Sequence, residues 1–274
     1  MISRIKKSCS FIQRNYYPIN QLKLLNYWYY RMKTRIYLTL ILLFFIQSVS
    51  YSDTESFNQF LKEYSSVKSI KGTIVQYIHS GASVEKMSGH YTAVDKGWFR
   101  IDYTTPERQI VIANNKGLFW FYPERNLLFK KEKNPDRYTY IPGSPLIKNF
   151  NNINIVYQGI RLYGLIKYAH VYSFRNLSGN SSVYIWFDSR RRYVVRKYII
   201  DDSGREIMKE IYHEFFYTGS AYIPSKIELF LRSENGIIHT QTEYSDLKVN
   251  YSTDNRIFDF EIQQNMTVRE LNDN

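Results

Sequence analysis

Between Val84 and Pro123, apolar and polar positions follow each other in short strand-like runs separated by turn residues. The run Trp98-Phe-Arg-Ile-Asp-Tyr103 places Phe99, Ile101 and Tyr103 on one face and Arg100 and Asp102 on the other. That alternation marks a strand with one apolar and one wet side, Arg100 and Asp102 being served by water or by each other. Ser88–Val94 precedes it. Ile110–Ala113 and Phe119–Tyr122 follow, with Thr105-Pro106-Glu107 and Asn114–Gly117 as turns. The last two strands are apolar at every position, so both of their faces must be covered.

The same pattern continues to both sides. Ile70–Ile78 reads as a strand, and so do Ile153–Gln158, Leu162–Asn176, Ser182–Asp188, Tyr193–Asp201, Ile207–Tyr217, Ile223–Arg232, Ile237–Leu247 and Phe258–Ile262. Asp202-Ser-Gly204 and Glu234-Asn-Gly236 supply hairpin turns. Helical spacing occurs in two places. Asp53–Tyr64 opens on the capping-box pattern Ser52 to Glu55 and carries Phe57, Phe60, Leu61 and Tyr64 on one stripe. Ile141–Phe150 is a short Pro-initiated helix with Leu146, Ile147 and Phe150 on one face. Even strand spacing with few helices implies an antiparallel barrel or sandwich, built as one domain over residues 53–274.

Residues 1–52 differ. Basic Met32-Lys-Thr-Arg35 leads into apolar Ile36–Ile46 and then Ser48-Val-Ser50. The apolar run is shorter than the ~20 residues of a spanning helix. We read a signal peptide beginning at Met32 and cleaved between Ser50 and Asp53, preceded by an N-terminal extension, the alternative being an uncleaved signal anchor. This segment also distorts the net charge of +12: it holds eight of the 37 Lys and Arg and no acidic residue, leaving 29 basic against 25 acidic side chains beyond it. The remainder is an ordinary soluble surface, and no nucleic-acid footprint is expected. Cys9, the sole cysteine, lies in the leader, so the exported chain has no disulfide.

Candidate chemistry is sparse. His79, His90, His170, His213 and His239 are scattered, with none at metal-ligand spacing, and His213-Glu214 lacks the second His of a zincin. There is no nucleophile elbow, phosphate loop or dinucleotide fingerprint. Adjacent Asp201 and Asp202 point to opposite faces of a strand and make a poor acid–base pair. No catalytic residue, metal or cofactor is expected. Asp188-Ser189 before Arg190-Arg-Arg192 reads as a solvated hairpin tip, its alternative use being contact with acidic lipid headgroups or a membrane partner.

The ordered set Ser88-Gly89, Phe99-Arg100, Tyr103, Pro106, Ile110-Val111, Asn114 to Gly117 and Phe119-Trp-Phe-Tyr122 resembles the LolA and outer-membrane lipoprotein-sorting family. The likeness extends loosely to Tyr244–Asn250 and to Phe258-Asp-Phe-Glu-Ile with Val268. It implies a mainly β (α+β) fold: an incomplete antiparallel β-barrel of about 10–12 strands closed by a few short helices acting as plug and lid. It further implies a periplasmic, monomeric chaperone carrying acylated lipoproteins from the inner to the outer membrane. Partners would be an inner-membrane lipoprotein-releasing ABC transporter and an outer-membrane acceptor, with transient membrane contact. On this resemblance the lipid-binding wall is Phe99, Ile101, Tyr103, Ile110, Ile112, Phe119 and Phe121, with Leu146 and Phe150 on the lid. The pocket would be adaptable and free of fixed polar anchors. Where many relatives carry an Arg-Pro latch, this chain has Asp95-Lys96. Two alternatives stay open: an envelope sensor of lipid or lipoprotein on the same fold, and a structural envelope protein with a dry core.

Overall fold

A computed structural model describes residues 33, 55–132, 142, 154–175, 181–233 and 236–271. The segment read from sequence as a signal peptide, and the one read as a helix with Leu146 and Phe150, lie outside the described residues. All described residues but Lys33 belong to one compact unit, Thr54–Asn274.

Helix α1 (residues 55–65) stands where the apolar stripe predicts it. Fourteen strands follow: β1 (Ser69–Ser80), β2 (Ser83–Val94), β3 (Trp98–Thr105), β4 (Gln109–Asn114), β5 (Gly117–Tyr122), β6 (Leu127–Glu132), β7 (Val156–Leu162), β8 (Tyr168–Arg175), β9 (Ser181–Asp188), β10 (Tyr193–Asp201), β11 (Glu206–Tyr217), β12 (Tyr222–Ser233), β13 (Gly236–Val249) and β14 (Thr267–Glu270). They form one sheet in the order β14-β6-β5-β4-β3-β2-β1-β13-β12-β11-β10-β9-β8-β7. All pairs are antiparallel except β14 on β6. The sheet curls without closing, an incomplete barrel of fourteen strands rather than ten to twelve.

Two strand assignments need correction. Leu162–Asn176 is not one strand: the chain reverses at residues 163–167, where Tyr163 N–H donates to Lys167 O at 3.0 Å. Phe258–Ile262 is not a strand either. A short 3₁₀ turn, Asn255–Phe258, leads instead into an extended strap, and two carbonyls of the turn are taken by side chains: Asn114 Nδ2 donates to Phe258 O at 2.7 Å and Arg100 Nη1 to Ile257 O at 3.0 Å. The closing strand is β14, further on.

One apolar cluster runs through the inner face. Phe57, Phe60, Leu61 and Tyr64 of α1 are buried in it, together with Ile74, Tyr91, Phe99, Tyr172, Ile185 and Phe187. Phe57 stacks on Tyr172 with centroids 4.0 Å apart and meets Phe187 edge-on at 5.3 Å. Such ring pairs add about 0.5–1.5 kcal/mol each beyond their buried area. α1 therefore plugs the β8–β9 side of the inner face. A smaller cluster of Ile112, Phe119 and Leu128 lies on the outer face, covered by Phe260, which stacks on Phe119 at 5.3 Å. Both faces of β4 and β5 thus find their cover.

Candidate ligand-binding cavity

Register decides which side chains meet inside. Ile101 pairs with Tyr91 on β2 and Val111 on β4, and Val111 pairs with Trp120 on β5. Cross-strand partners share a face, so these four make one row. Gly89 lets β2 approach β3 there: a Cβ on it would stand 2.1 Å from Asp102 O. Across the sheet, Gln76, Thr242 and Ile227 form a second row, and Thr240, Leu229, Glu210 and Lys197 a third. Between these rows lies a cavity of about 480 Å³.

Of the residues assigned to a lipid-binding wall from sequence, Phe99, Ile101 and Tyr103 line this cavity. Ile110, Ile112, Phe119 and Phe121 do not: they lie on the outer face, beneath Phe260. Their places inside are taken by Val111, Leu118 and Trp120. The neighbours of the alternating strand fix this, since Arg100 pairs with Ile112 and Asp102 with Ile110. Leu146 and Phe150 fall outside the described residues. Asp95 pairs with Lys68 at 3.2 Å on the surface, and Lys96 lies 4.9 Å over the Trp98 ring; neither lines the cavity.

The wall is not free of polar anchors. Tyr103 Oη donates to Gln76 Oε1 at 2.8 Å, and Trp120 Nε1 to Gln109 Oε1 at 2.9 Å. Deeper along the third row, Lys197 Nζ lies 2.7 Å from Glu210 Oε2, with the lysine side chain 4% and the glutamate 19% exposed. The Tyr212 hydroxyl also donates to Glu210. Burial, and then the neighbouring Glu210 carboxylate, hold the Tyr212 phenol well above the usual tyrosine range. Tyr244 is raised by burial, then by Tyr103 and Glu210, so it too stays protonated. On α1, the Tyr64 hydroxyl donates to Pro142 O, and Pro142 also lines the cavity. No sequence signal marked Lys197. A bulge between Val194 and Arg196 turns it to the inside.

Outside the cavity, the turn at residues 163–167 carries Leu165 and Ile166, 101% and 90% exposed. Its base is pinned: Tyr163 Oη donates to Asp188 Oδ2 at 2.5 Å and Arg196 Nη2 to Tyr163 O at 3.3 Å. Asp188 Oδ1 accepts the N–H groups of Arg190 and Arg191, both at 3.1 Å, and Arg190 lies 4.8 Å over the Tyr168 ring. The arginine hairpin is a solvated tip, with Arg190 and Arg191 exposed, and an organised one beside the apolar turn, and Arg192 reaches Glu63 of α1. On the outer face His213 and His239 flank Glu228 at 3.2 and 3.8 Å, a grouping sequence spacing hid. Among the described residues, no three His, Cys, Asp or Glu are placed to hold a metal.

Comparison with solved structures places this architecture. A LolA-superfamily protein from Nitrosomonas europaea superposes with a TM-score of 0.54 at 14% identity, over 74% of this chain and 97% of that one. The fold is that of LolA-superfamily proteins. A domain assigned as an outer-membrane lipoprotein-sorting protein, from Vibrio parahaemolyticus, gives 0.54 at 8% identity over 75% and 97%. A DUF1329-family protein from Desulfovibrio piger gives 0.57 at 11% over 76% and 97%. No protein-family model and no curated protein matches the sequence. Among the described residues no helix is long and apolar enough to cross a membrane.

Proposed function

We propose that this protein is a periplasmic chaperone that holds the acyl chains of lipoproteins in the inner cavity and carries them from the inner to the outer membrane. The observation that carries the reading is the cavity itself. Phe99, Ile101, Val111, Trp120 and Ile227 converge on one inner face and leave about 480 Å³ between them, where a dry core would interdigitate. Each acyl CH2 hidden from water contributes about 0.8 kcal/mol, so such a wall favours acyl chains over polar cargo. LolA-superfamily and lipoprotein-sorting structures share the fold, which agrees with this assignment. The role is binding rather than catalysis, and the partners are acylated lipoproteins, an inner-membrane releasing transporter and an outer-membrane acceptor.

A carrier must also touch the membrane surface briefly. Leu165 and Ile166, with Lys167, Arg190, Arg191 and Arg196 beside them, supply an apolar wedge and a basic collar for anionic headgroups. Native mass spectrometry of protein taken from envelope extracts tests the reading. Co-purified acyl lipid or lipoprotein is the expected result, and uniformly empty protein that also fails to take up a purified lipoprotein overturns it.

A further inference from the structure

The Lys197–Glu210 pair stands out because its surroundings do not call for it. A buried ion pair is weak support for stability, since both ions lose their hydration. Yet it sits on the inner face, in the row Thr240–Leu229–Glu210–Lys197, with all four side chains on the cavity wall. An ammonium has three N–H donors. Glu210 takes one, at 2.7 Å, and no other acceptor for Lys197 is found among the described residues. The side chain is 96% buried, so its remaining donors address the cavity rather than bulk solvent. Tyr244 lines the same cavity, its hydroxyl likewise without an acceptor among the described residues. Tyr212 is different, its proton being committed to Glu210.

We infer that Lys197 and Tyr244 form a polar subsite that receives the carbonyl oxygen of an ester- or amide-linked acyl group, while the chain lies along the apolar wall. The chemistry selects a neutral acceptor. Lys197 is already neutralised by Glu210, and a second carboxylate would face the Glu210 charge at close range in a poorly hydrated site. A free fatty acid in its ionised form is therefore disfavoured. A plain hydrocarbon leaves the donors unserved, which a site built to hydrogen-bond its ligand penalises. The inference rests on the cavity being an acyl site and adds which end of the molecule it recognises.

The test compares methyl palmitate, hexadecane and ionised palmitate as displacers of a fluorescent acyl probe, in the full exported chain. The wild type is expected to bind the ester roughly tenfold or more tightly than the alkane, the size of a hydrogen bond from a charged donor. It should also prefer the ester to the ionised acid. The double variant Lys197→Met with Glu210→Gln removes both charges, so that neither is left buried and unpaired. It should keep alkane binding and lose the preference for the ester. Equal wild-type affinity for ester and alkane, or tighter binding of the ionised acid, overturns the subsite while the acyl cavity stands. A double variant that folds and keeps the preference overturns it too. Should that variant not fold, the wild-type ranking still decides. Failure of the wild type to bind any of the three sinks the cavity reading and this inference with it.

Discussion

Arg100 grips both carboxylate oxygens of Asp102 at 2.7 Å on the outer face of β3, and its third nitrogen holds Ile257 O at 3.0 Å. The pair is a clasp for the strap that seals the outer face. Arg100→Met should lower stability by about 1–2 kcal/mol, the usual cost of losing charge-assisted bonds at a half-buried site. Amide exchange should quicken over residues 255–260, with acyl binding unchanged. Urea melts and exchange mass spectrometry measure both; lost binding would show that the strap also shapes the cavity.

The two apolar faces should separate in paired variants. Ile112, 1% exposed under Phe260, is core: Ile112→Ala should cost about 2–4 kcal/mol and leave acyl binding intact. Phe99 is 4% exposed but borders the cavity, so Phe99→Glu can turn its carboxylate toward that space. Its fold should survive and its lipoprotein uptake fall by about tenfold or more. Thermal melting read beside release from membrane vesicles checks this. Collapse of Phe99→Glu would mean the wall is closed core.

Leu165→Ser with Ile166→Ser alters two solvated side chains. Stability should shift by no more than about 0.5 kcal/mol. Sedimentation with anionic vesicles should drop sharply, and the binding that remains should weaken with salt. Unchanged sedimentation would remove the turn from any membrane role.

Asp201 gives a pH signature. The Ser203 hydroxyl, then the Arg205 backbone N–H and guanidinium, bring its pKa down to about 2. A carboxylate lowered below its unfolded value near ~3.9 favours the folded state while it is ionised. That contribution is complete above the unfolded value and disappears as pH falls through about 2. A carboxyl-carbon NMR titration should show Asp201 still ionised when most carboxylates have protonated, and Asp201→Asn should flatten this part of the acid limb.

The sequence discloses what period-two alternation can carry. Phe99, Ile101 and Tyr103 share a face because Arg100 and Asp102 occupy the other, and that polarity orients β3 without further help. In Ile110–Ala113 and Phe119–Tyr122 every position is apolar, so periodicity is silent and only pairing with β3 sends Val111 and Trp120 inward. Lys197 was illegible for another reason: the bulge before it resets the parity of β10, leaving Val194 and Lys197 on one side. The turn at Leu165 was hidden by β-forming neighbours, Gly164 being its one breaker.

The order of the sheet bears on how the molecule is made. Each pair of adjacent strands is also consecutive in the chain, apart from β6 with β14 and β1 with β13. Two meanders can therefore zip up from local hairpins quickly, whereas setting Ile70 beside Val249 and Gln76 beside Thr242 must wait for nearly the whole chain. The β1–β13 seam should be the slow step of refolding. Until it forms, the first meander presents Phe99, Ile101, Val111 and Trp120 as a bare greasy sheet, so the emerging polypeptide is itself in need of shielding from its neighbours.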